Sequence, residues 1–437
     1  MKRTIDAELL NWKTSVSRKP LLLRGARQVG KTYAVRKLAR QFPHFAEINF
    51  DASPDVASLF AGSLAPKDTI PKLQAFTRVP IVPGQTLLFL DEIQKCPEAL
   101  AALRYFKEEL PELHVVAAGS LLEFALEELP SFGVGRVTSR FMYPMTFPEF
   151  AEAMGESAAV GFLAHADASS PMGGALHGRL VELLKSYMVV GGLPEAVAAF
   201  AARRDYLEVG GILDDLIASF EDDFAKYRRR VPLARLRETF RSVAAQAGGK
   251  FKCVRVNAGT KSVAILEALG LLEKAGLVLR TVHTSANGIP LGSEADNRAF
   301  KAFLFDSGVH LRLLGLDMSQ LVTLGGVDFV NRGALAELHV ALALAAADGL
   351  RHRPELYYWH REARNSSAEV DFVVQRGDQV VPIEVKAGGT GRMKSLHMFM
   401  EEKRSARGLR LSLEDFSRVG DVLIRPLYAA GLVCGGI

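Results

Sequence analysis

The sequence predicts an α/β protein of several units: a parallel sheet with interleaved helices first, a helical stretch next, and a second α/β unit at the end. Three observations carry this. Short apolar runs at 21–23, 46–50, 87–90 and 115–118 alternate with helical patterns, as buried parallel strands do. Residues 151–230 are instead rich in Ala and Gly, break at Gly191-Gly-Leu-Pro194, and keep a helical period in EVGGILDDLIASFEDDFAKY. From about residue 330 the apolar helix GALAELHVALALAAA leads into the strand patterns YYWHR, EVDFVV and VVPIEVK. The length of 437 residues suits about three folded units at roughly 150 residues each.

Composition narrows the class. Hydrophobic residues at 49% and charged residues at 24% allow real cores and exclude a disordered chain. The net charge of +5 permits a polyanionic partner without requiring one. Cys96, Cys253 and Cys434 are too far apart for a zinc knuckle or a redox pair, and their odd number argues against a disulfide scaffold. The start, MKRTIDAELLNWK, has no unbroken apolar core, and no stretch approaches the roughly 18 apolar residues of a membrane span. A cytoplasmic protein with no membrane partner is expected.

The first strand, LLLRG, runs into Gly25, Ala26, Arg27, Gln28, Val29, Gly30, Lys31 and Thr32, and Tyr33 opens the helical pattern that follows. This is GxxxxGK[ST] between a strand and a helix, the phosphate-binding loop. Glycines let the backbone turn its N–H groups inward, and a helix N-terminus adds positive potential. Lys31 would hold the β and γ phosphates of ATP, and Thr32 would present its hydroxyl to Mg²⁺. Arg27 is expected in solvent. The strand at 87–90 delivers Asp91 and Glu92 to its C-terminal edge, where open parallel sheets bind ligands. Asp91 would join the Mg²⁺ shell and Glu92 would polarise the attacking water. The strand at 115–118 ends in Gly119-Ser120. Ser120 would orient that water, contact the γ phosphate, or cap the next helix. Arg136 and Arg140 are candidates for a cation that completes the site, from the same chain or from a neighbouring copy in a homo-oligomer.

The motifs GARQVGKT, LLFLDEIQKCP, AAGSLLEFAL, GRVTSRFMYPMTFPEF, GGLPEAV, FLFDSGV and EVDFVV with IEVK together resemble prokaryotic AAA-type ATP-binding proteins with a C-terminal domain of unassigned function. The resemblance covers nearly the whole chain. It implies a P-loop NTPase core of AAA type whose sensor strand lies between the strands of the two nucleotide motifs, then a winged helix, then a nuclease-like domain.

Residues 231–325 contain helical segments, then a helix running into a strand, a polar turn and another strand, an order that suggests a winged helix. Lys226, Arg228, Arg229, Arg230, Arg235, Arg237 and Arg241 concentrate positive charge, continued by Lys250, Lys252, Arg255, Lys261 and Arg280. They would meet DNA phosphates, or form a solvated face countering Glu221-Asp-Asp223. A winged helix also docks proteins, so a protein partner stays open.

In residues 369–386 the turn Gly377-Asp378 makes a hairpin with Gln375 opposite Val380, Asp371 opposite Glu384 and Glu369 opposite Lys386. Alternation puts Glu369, Asp371, Glu384 and Lys386 on one face. Opposed carboxylates repel unless a cation lies between them. The pattern resembles a restriction-endonuclease-like site, in which Asp371 and Glu384 hold Mg²⁺ and Lys386 assists the attacking water. Glu337, alone in an apolar helix, would complete the ligand set, or pair with an arginine. Ordinary cross-strand ion pairs are the plainer alternative.

The expected organisation is a P-loop ATPase domain at 1–155, a helical lid or connector at 156–230, a winged helix at 231–325 and a restriction-endonuclease-like α/β domain at 326–437. The expected function is Mg²⁺-dependent ATP hydrolysis coupled to DNA binding, with a metal-dependent nuclease effector. The alternative is a nucleotide-controlled protein-interaction switch whose nuclease-like domain is catalytically inactive. A small-molecule kinase is disfavoured by the second acid, Glu92.

Overall fold

The computed structural model describes residues 1–120, 122–128, 135–227, 231–319, 332–362, 368–388 and 393–434. The chain forms two compact units. One is Lys2–Tyr143 with Leu350–His352, and the other is Pro144–Gly349 with Arg353–Ile437 and Met1.

In the first unit, α1 (Thr4–Thr14), β1 (Leu21–Arg24), α2 (Lys31–Ala39), β2 (His44–Asn49), α3 (Pro66–Thr77), β3 (Thr86–Asp91), α4 (Pro97–Glu109), β4 (His114–Ala118), α5 (Leu122–Glu128) and β5 (Thr138–Phe141) follow one another. The five strands pair in the order β2-β3-β4-β1-β5, all parallel. Every residue of β3 and β4 is buried, which is why these strands read as unbroken apolar runs rather than as alternating ones. Leu22, Leu88, Leu90, Val115 and Ala117 of three adjacent strands share one core with Leu100, Leu103 and Phe106 of α4. The strand ending in Ser120 lies between the other two motif strands, as the resemblance implied, so three strand ends meet at one edge.

The second unit opens with helices α6 (Phe147–Ala153), α7 (Ser157–Leu163), α8 (Gly174–Val190), α9 (Pro194–Arg203) and α10 (Tyr206–Asp223). It continues through α11 (Leu233–Ala245), α12 (Ser262–Lys274), β6 (Val278–Thr284), β7 (Ala295–Leu304) and α13 (Ser307–Leu313). Last come α14 (Arg332–Asp348), β8 (Leu356–His360), β9 (Glu369–Arg376), β10 (Gln379–Val385), α15 (Lys394–Lys403), β11 (Gly408–Ser412), β12 (Ser417–Val419) and β13 (Val422–Pro426). Between α8 and α9, Gly191 turns the chain at φ 76°. There the Gly192 N–H donates to Asp306 Oδ2 at 2.7 Å, while Asp306 Oδ1 accepts from Val309 N–H at 3.0 Å and caps α13. The motifs GGLPEAV and FLFDSGV are thus two halves of one structural joint.

The strands of this unit form a single mixed sheet in the order β12-β13-β11-β10-β9-β8-β6-β7. The hairpin expected to be the wing of a separate module joins the C-terminal strands through parallel pairing of β6 with β8, at Thr281↔Leu356, Val282↔Tyr357 and His283↔Tyr358. The boundary expected between 325 and 326 therefore does not separate two sheets. A free hairpin leaves a row of unpaired backbone groups on its outer edge, and β8 satisfies those of β6.

Candidate functional site

The loop after β1 is built on two glycines. Gly25 has φ 141°, and a Cβ there would stand 2.2 Å from the Met142 carbonyl oxygen, while Gly30 has φ 94° at the start of α2. Val29 is fully buried, and its carbonyl accepts from Arg3 Nη1 at 2.9 Å. Gln28 and Tyr33 are exposed. Lys31 is 8% exposed, and its ammonium donates to the carbonyls of Gly25 at 3.0 Å and Ala26 at 2.7 Å. Burial lowers its pKa to about 8 against the pull of Glu92 and Asp91. Thr32 Oγ1 donates to Asp91 Oδ2 at 3.0 Å, and Asn49 Nδ2 donates to the same oxygen at 3.3 Å. Asp91 Oδ1 accepts from the Glu92 N–H at 3.0 Å. Burial raises the Asp91 pKa, opposed by the Thr32 hydroxyl.

Glu92 adopts φ 51°, a left-handed conformation uncommon outside glycine, and its carboxylate accepts from Gln94 Nε2. The same Gln94 crowds Gly119, where a Cβ would meet Gln94 Oε1 at 2.0 Å. Gln94 thus lies between the second acid and the tip of β4. Ser120, 5% exposed, lies 3.3 Å from Arg27 Nε. Arg27 is therefore engaged at the site, not held out in solvent as expected. The structure brings Lys31, Thr32, Asp91 and Glu92 together, with Ser120 reached through Arg27. Arg136 pairs instead with Glu108 at 3.1 Å and Arg140 with Glu8 at 3.1 Å.

Sequence reasoning missed Arg3, Asn49 and Gln94. Arg3 also donates to the Tyr143 carbonyl at 2.7 Å, so it braces the loop from a position 22 residues before Gly25. Asn49 had a readable signal, because it ends a strand at the same sheet edge as Asp91.

These residues fit a nucleotide with its metal. The loop has no room for a Cβ at Gly25, a buried ammonium lies under it, and a hydroxyl and a carboxylate meet beside it. Phosphate-binding loops of this kind use Lys for the β and γ phosphates and Ser/Thr with Asp for Mg²⁺.

A second polar cluster lies in the other unit. The β9–β10 hairpin has the expected register, Gln375↔Val380 through Phe372↔Ile383. Past Ile383 the ladder gives way, and Asp371 Oδ2 accepts from the Val385 N–H at 2.8 Å. Glu369 and Lys386, expected as cross-strand partners, have separate ones. Lys386 pairs with Glu384 at 2.5 Å, and Glu369 pairs with Lys301 at 2.7 Å. Lys301, wholly buried in β7, also reaches Glu337 at 2.9 Å and Asp371 at 3.7 Å, with the Tyr358 ring 5.4 Å away. Burial pulls its pKa down, but the carboxylates of Glu337, Asp371 and Glu369 outweigh that and hold it above the ordinary lysine value. Burial raises Glu337 and Asp371, opposed by Lys301, and raises Glu384 with help from Asp371.

Lys301 thus supplies a cation to Glu337 and Glu369 from within the chain. Among the described residues, no three His, Cys, Asp or Glu side chains stand together as metal ligands. The three-carboxylate set expected of Glu337, Asp371 and Glu384 is not assembled, because Lys301 has taken Glu337. Glu384, 6% exposed, keeps Oε2 without a hydrogen-bond partner.

Of the basic stretch, Arg228, Arg229 and Arg230 lie outside the described residues. Arg237 and Arg241 bind Glu221 at 3.2 and 3.1 Å, and Lys226 binds Asp223 at 2.6 Å. Arg280 binds Glu273 at 2.6 Å. For these residues the structure shows the acid-countering face. Lys250, Lys252, Arg255 and Lys261 are exposed.

Comparison with known proteins matches three segments of the chain. Residues 17–151 match the model of an AAA domain, residues 181–320 a domain of unknown function (DUF8612), and residues 332–427 another (DUF4143). No curated protein matches the chain. Similar solved structures include the Walker-type ATPase of Pyrococcus abyssi, with 16% identity, TM-score 0.44, and coverage of 72% of this chain and 95% of that one. The Orc1 protein of Aeropyrum pernix in complex with DNA has 16% identity and TM-score 0.29, covering 74% and 94%. The RuvB Holliday junction branch migration motor of Thermotoga maritima has 14% identity and TM-score 0.29, covering 63% and 88%.

Proposed function

We propose that the AAA-type P-loop domain of residues 17–151 is a Mg²⁺-dependent ATPase whose nucleotide state governs how the rest of the chain engages DNA. The observation that carries this is the 3.0 Å hydrogen bond between Thr32 and Asp91, with Lys31 and Glu92 beside it. Mg²⁺ held by Thr32 and Asp91 would neutralise charge on the phosphates. Lys31 exchanges its two loop carbonyls for phosphate oxygens. Glu92, oriented by Gln94, accepts the proton of the attacking water, and Ser120 with Arg27 fixes the third side of the site. Arg136, half exposed on its own copy, would act on the nucleotide of a neighbouring copy.

The DNA reading rests on exposed Lys250, Lys252, Arg255 and Lys261 and on the order α11, α12, β6, β7, which suits a winged helix. Asp371, Glu384 and Lys386 would be the metal-dependent nuclease effector of a restriction-endonuclease-like sheet. The second reading, a switch acting on a protein partner with a nuclease-like domain that does not cut, is favoured by one observation, the Lys301 ammonium among the acids. No helix among the described residues is long and apolar enough to cross a membrane.

ATP hydrolysis by the full chain tests the reading. Lys31→Ala should abolish turnover, and Glu92→Gln should keep ATP binding while slowing turnover by about 10²-fold or more. Turnover that survives Lys31→Ala removes the assignment. Incubation with linear and circular DNA in Mg²⁺ or Mn²⁺, with Glu384→Ala as control, separates the effector reading from the switch.

A further inference from the structure

The acidic cluster of the C-terminal sheet is divided in two by Lys301. Its ammonium lies within 2.9 Å of Glu337 and 2.7 Å of Glu369 but 3.7 Å from Asp371, so two carboxylates are satisfied and a third is only grazed. On the far side, Lys386 takes one oxygen of Glu384. One oxygen is left without a partner and another is only weakly met. Glu384 Oε2 is buried without a partner, and Asp371 Oδ1 has Lys301 only beyond hydrogen-bond distance. Four carboxylates stand against two ammoniums, an excess of acid that one divalent ion would offset. Unpaired buried charge of this kind is costly, and Mg²⁺ or Mn²⁺ needs no more than one or two carboxylates, with water completing its shell.

We propose that Lys301 is a built-in cation that withdraws Glu337 and Glu369 from metal binding and leaves Asp371 and Glu384 to hold a single divalent ion. This deepens the reading of the C-terminal sheet as a metal site and rests on it. Lys301 is a positioning residue: it contacts no substrate but decides how many ions the acids can take. It also ties the site to β7, four strands away from β10 in the sheet, so the residues read as a wing contribute to the site read as an effector.

The test is calorimetric titration of Mn²⁺ into the full-length, nucleotide-free chain carrying Asp91→Asn, which removes the other metal position. One ion per chain is expected. Glu337→Gln should still bind one at wild-type affinity, Glu384→Gln should bind none, and Lys301→Met should bind two. Two ions with Lys301 in place, one with Lys301→Met, or loss of binding on Glu337→Gln would each overturn the role given to Lys301. A folded chain that takes up no Mn²⁺ at all sinks the metal reading itself, a different outcome. Where Lys301→Met does not fold, Glu337→Gln decides.

Discussion

Replacing Asp306 tests whether the two motifs GGLPEAV and FLFDSGV are a joint or a site. Its carboxylate is 1% exposed and accepts from the Gly192 and Val309 N–H groups at 2.7 and 3.0 Å. Asp306→Ala leaves both donors buried without acceptors. At about 1–3 kcal/mol per orphaned group, the loss is about 2–6 kcal/mol, a large part of the stability of an ordinary domain. The pH dependence sharpens the test. Burial pushes the Asp306 pKa up to about 6, against the N–H groups of Val309 and Gly192. A pKa raised on folding gives stability that is full below the unfolded value near 3.9 and lost as pH rises through 6. The linkage amounts to about 2 kcal/mol between pH 4.5 and 7.5. Asp306→Asn does not titrate, so the stability gap between wild type and Asp306→Asn should move against wild type by that amount over the interval. Native-state hydrogen exchange of the Gly192 and Val309 amides, with urea unfolding at each pH, reads both effects. Asp306→Ala within about 1 kcal/mol of wild type, or a gap flat with pH, refutes the reasoning.

Gly25→Ala should abolish binding of a fluorescent ATP analogue, because its Cβ would stand 2.2 Å from the Met142 carbonyl oxygen at φ 141°; retained affinity would mean that the loop does not need this approach. Arg3→Ala should weaken ATP binding without touching the nucleotide, since it removes two charge-assisted bonds to the Val29 and Tyr143 carbonyls, at about 1.5–3 kcal/mol each; thermal melting with and without ATP checks it. The buried histidines His114, His310 and His339 are each lowered to about 4, by desolvation first. Their contribution is present above pH 6.5 and is lost as pH falls towards 4, by up to about 3 kcal/mol each. Melting temperature should therefore drop steeply from pH 6.5 to 4.5, and His339→Gln should flatten the slope.

Local chemistry was legible in the sequence. The strand-loop-helix spacing fixed where Gly25, Lys31 and Thr32 would stand, and the buried strand ahead of Asp91 and Glu92 fixed the edge they reach. The Gly377-Asp378 turn fixed the hairpin register as far as Phe372 opposite Ile383. Each rests on short-range geometry, the backbone freedom of glycine or the two-residue period of a strand. Arg3 and Lys301 were not legible, because their partners are brought to them by elements far along the chain.

The amino-acid sequence by itself determined which groups carry charge and which local turn presents them. Tertiary structure decided which charges meet. The acids near Asp371 called for a cation on electrostatic grounds alone, and the sequence could not say whether an ion or a side chain would answer. Parallel pairing of β6 with β8, set by the packing of whole elements rather than by any local pattern, carried β7 into the sheet and put the ammonium of Lys301 among them.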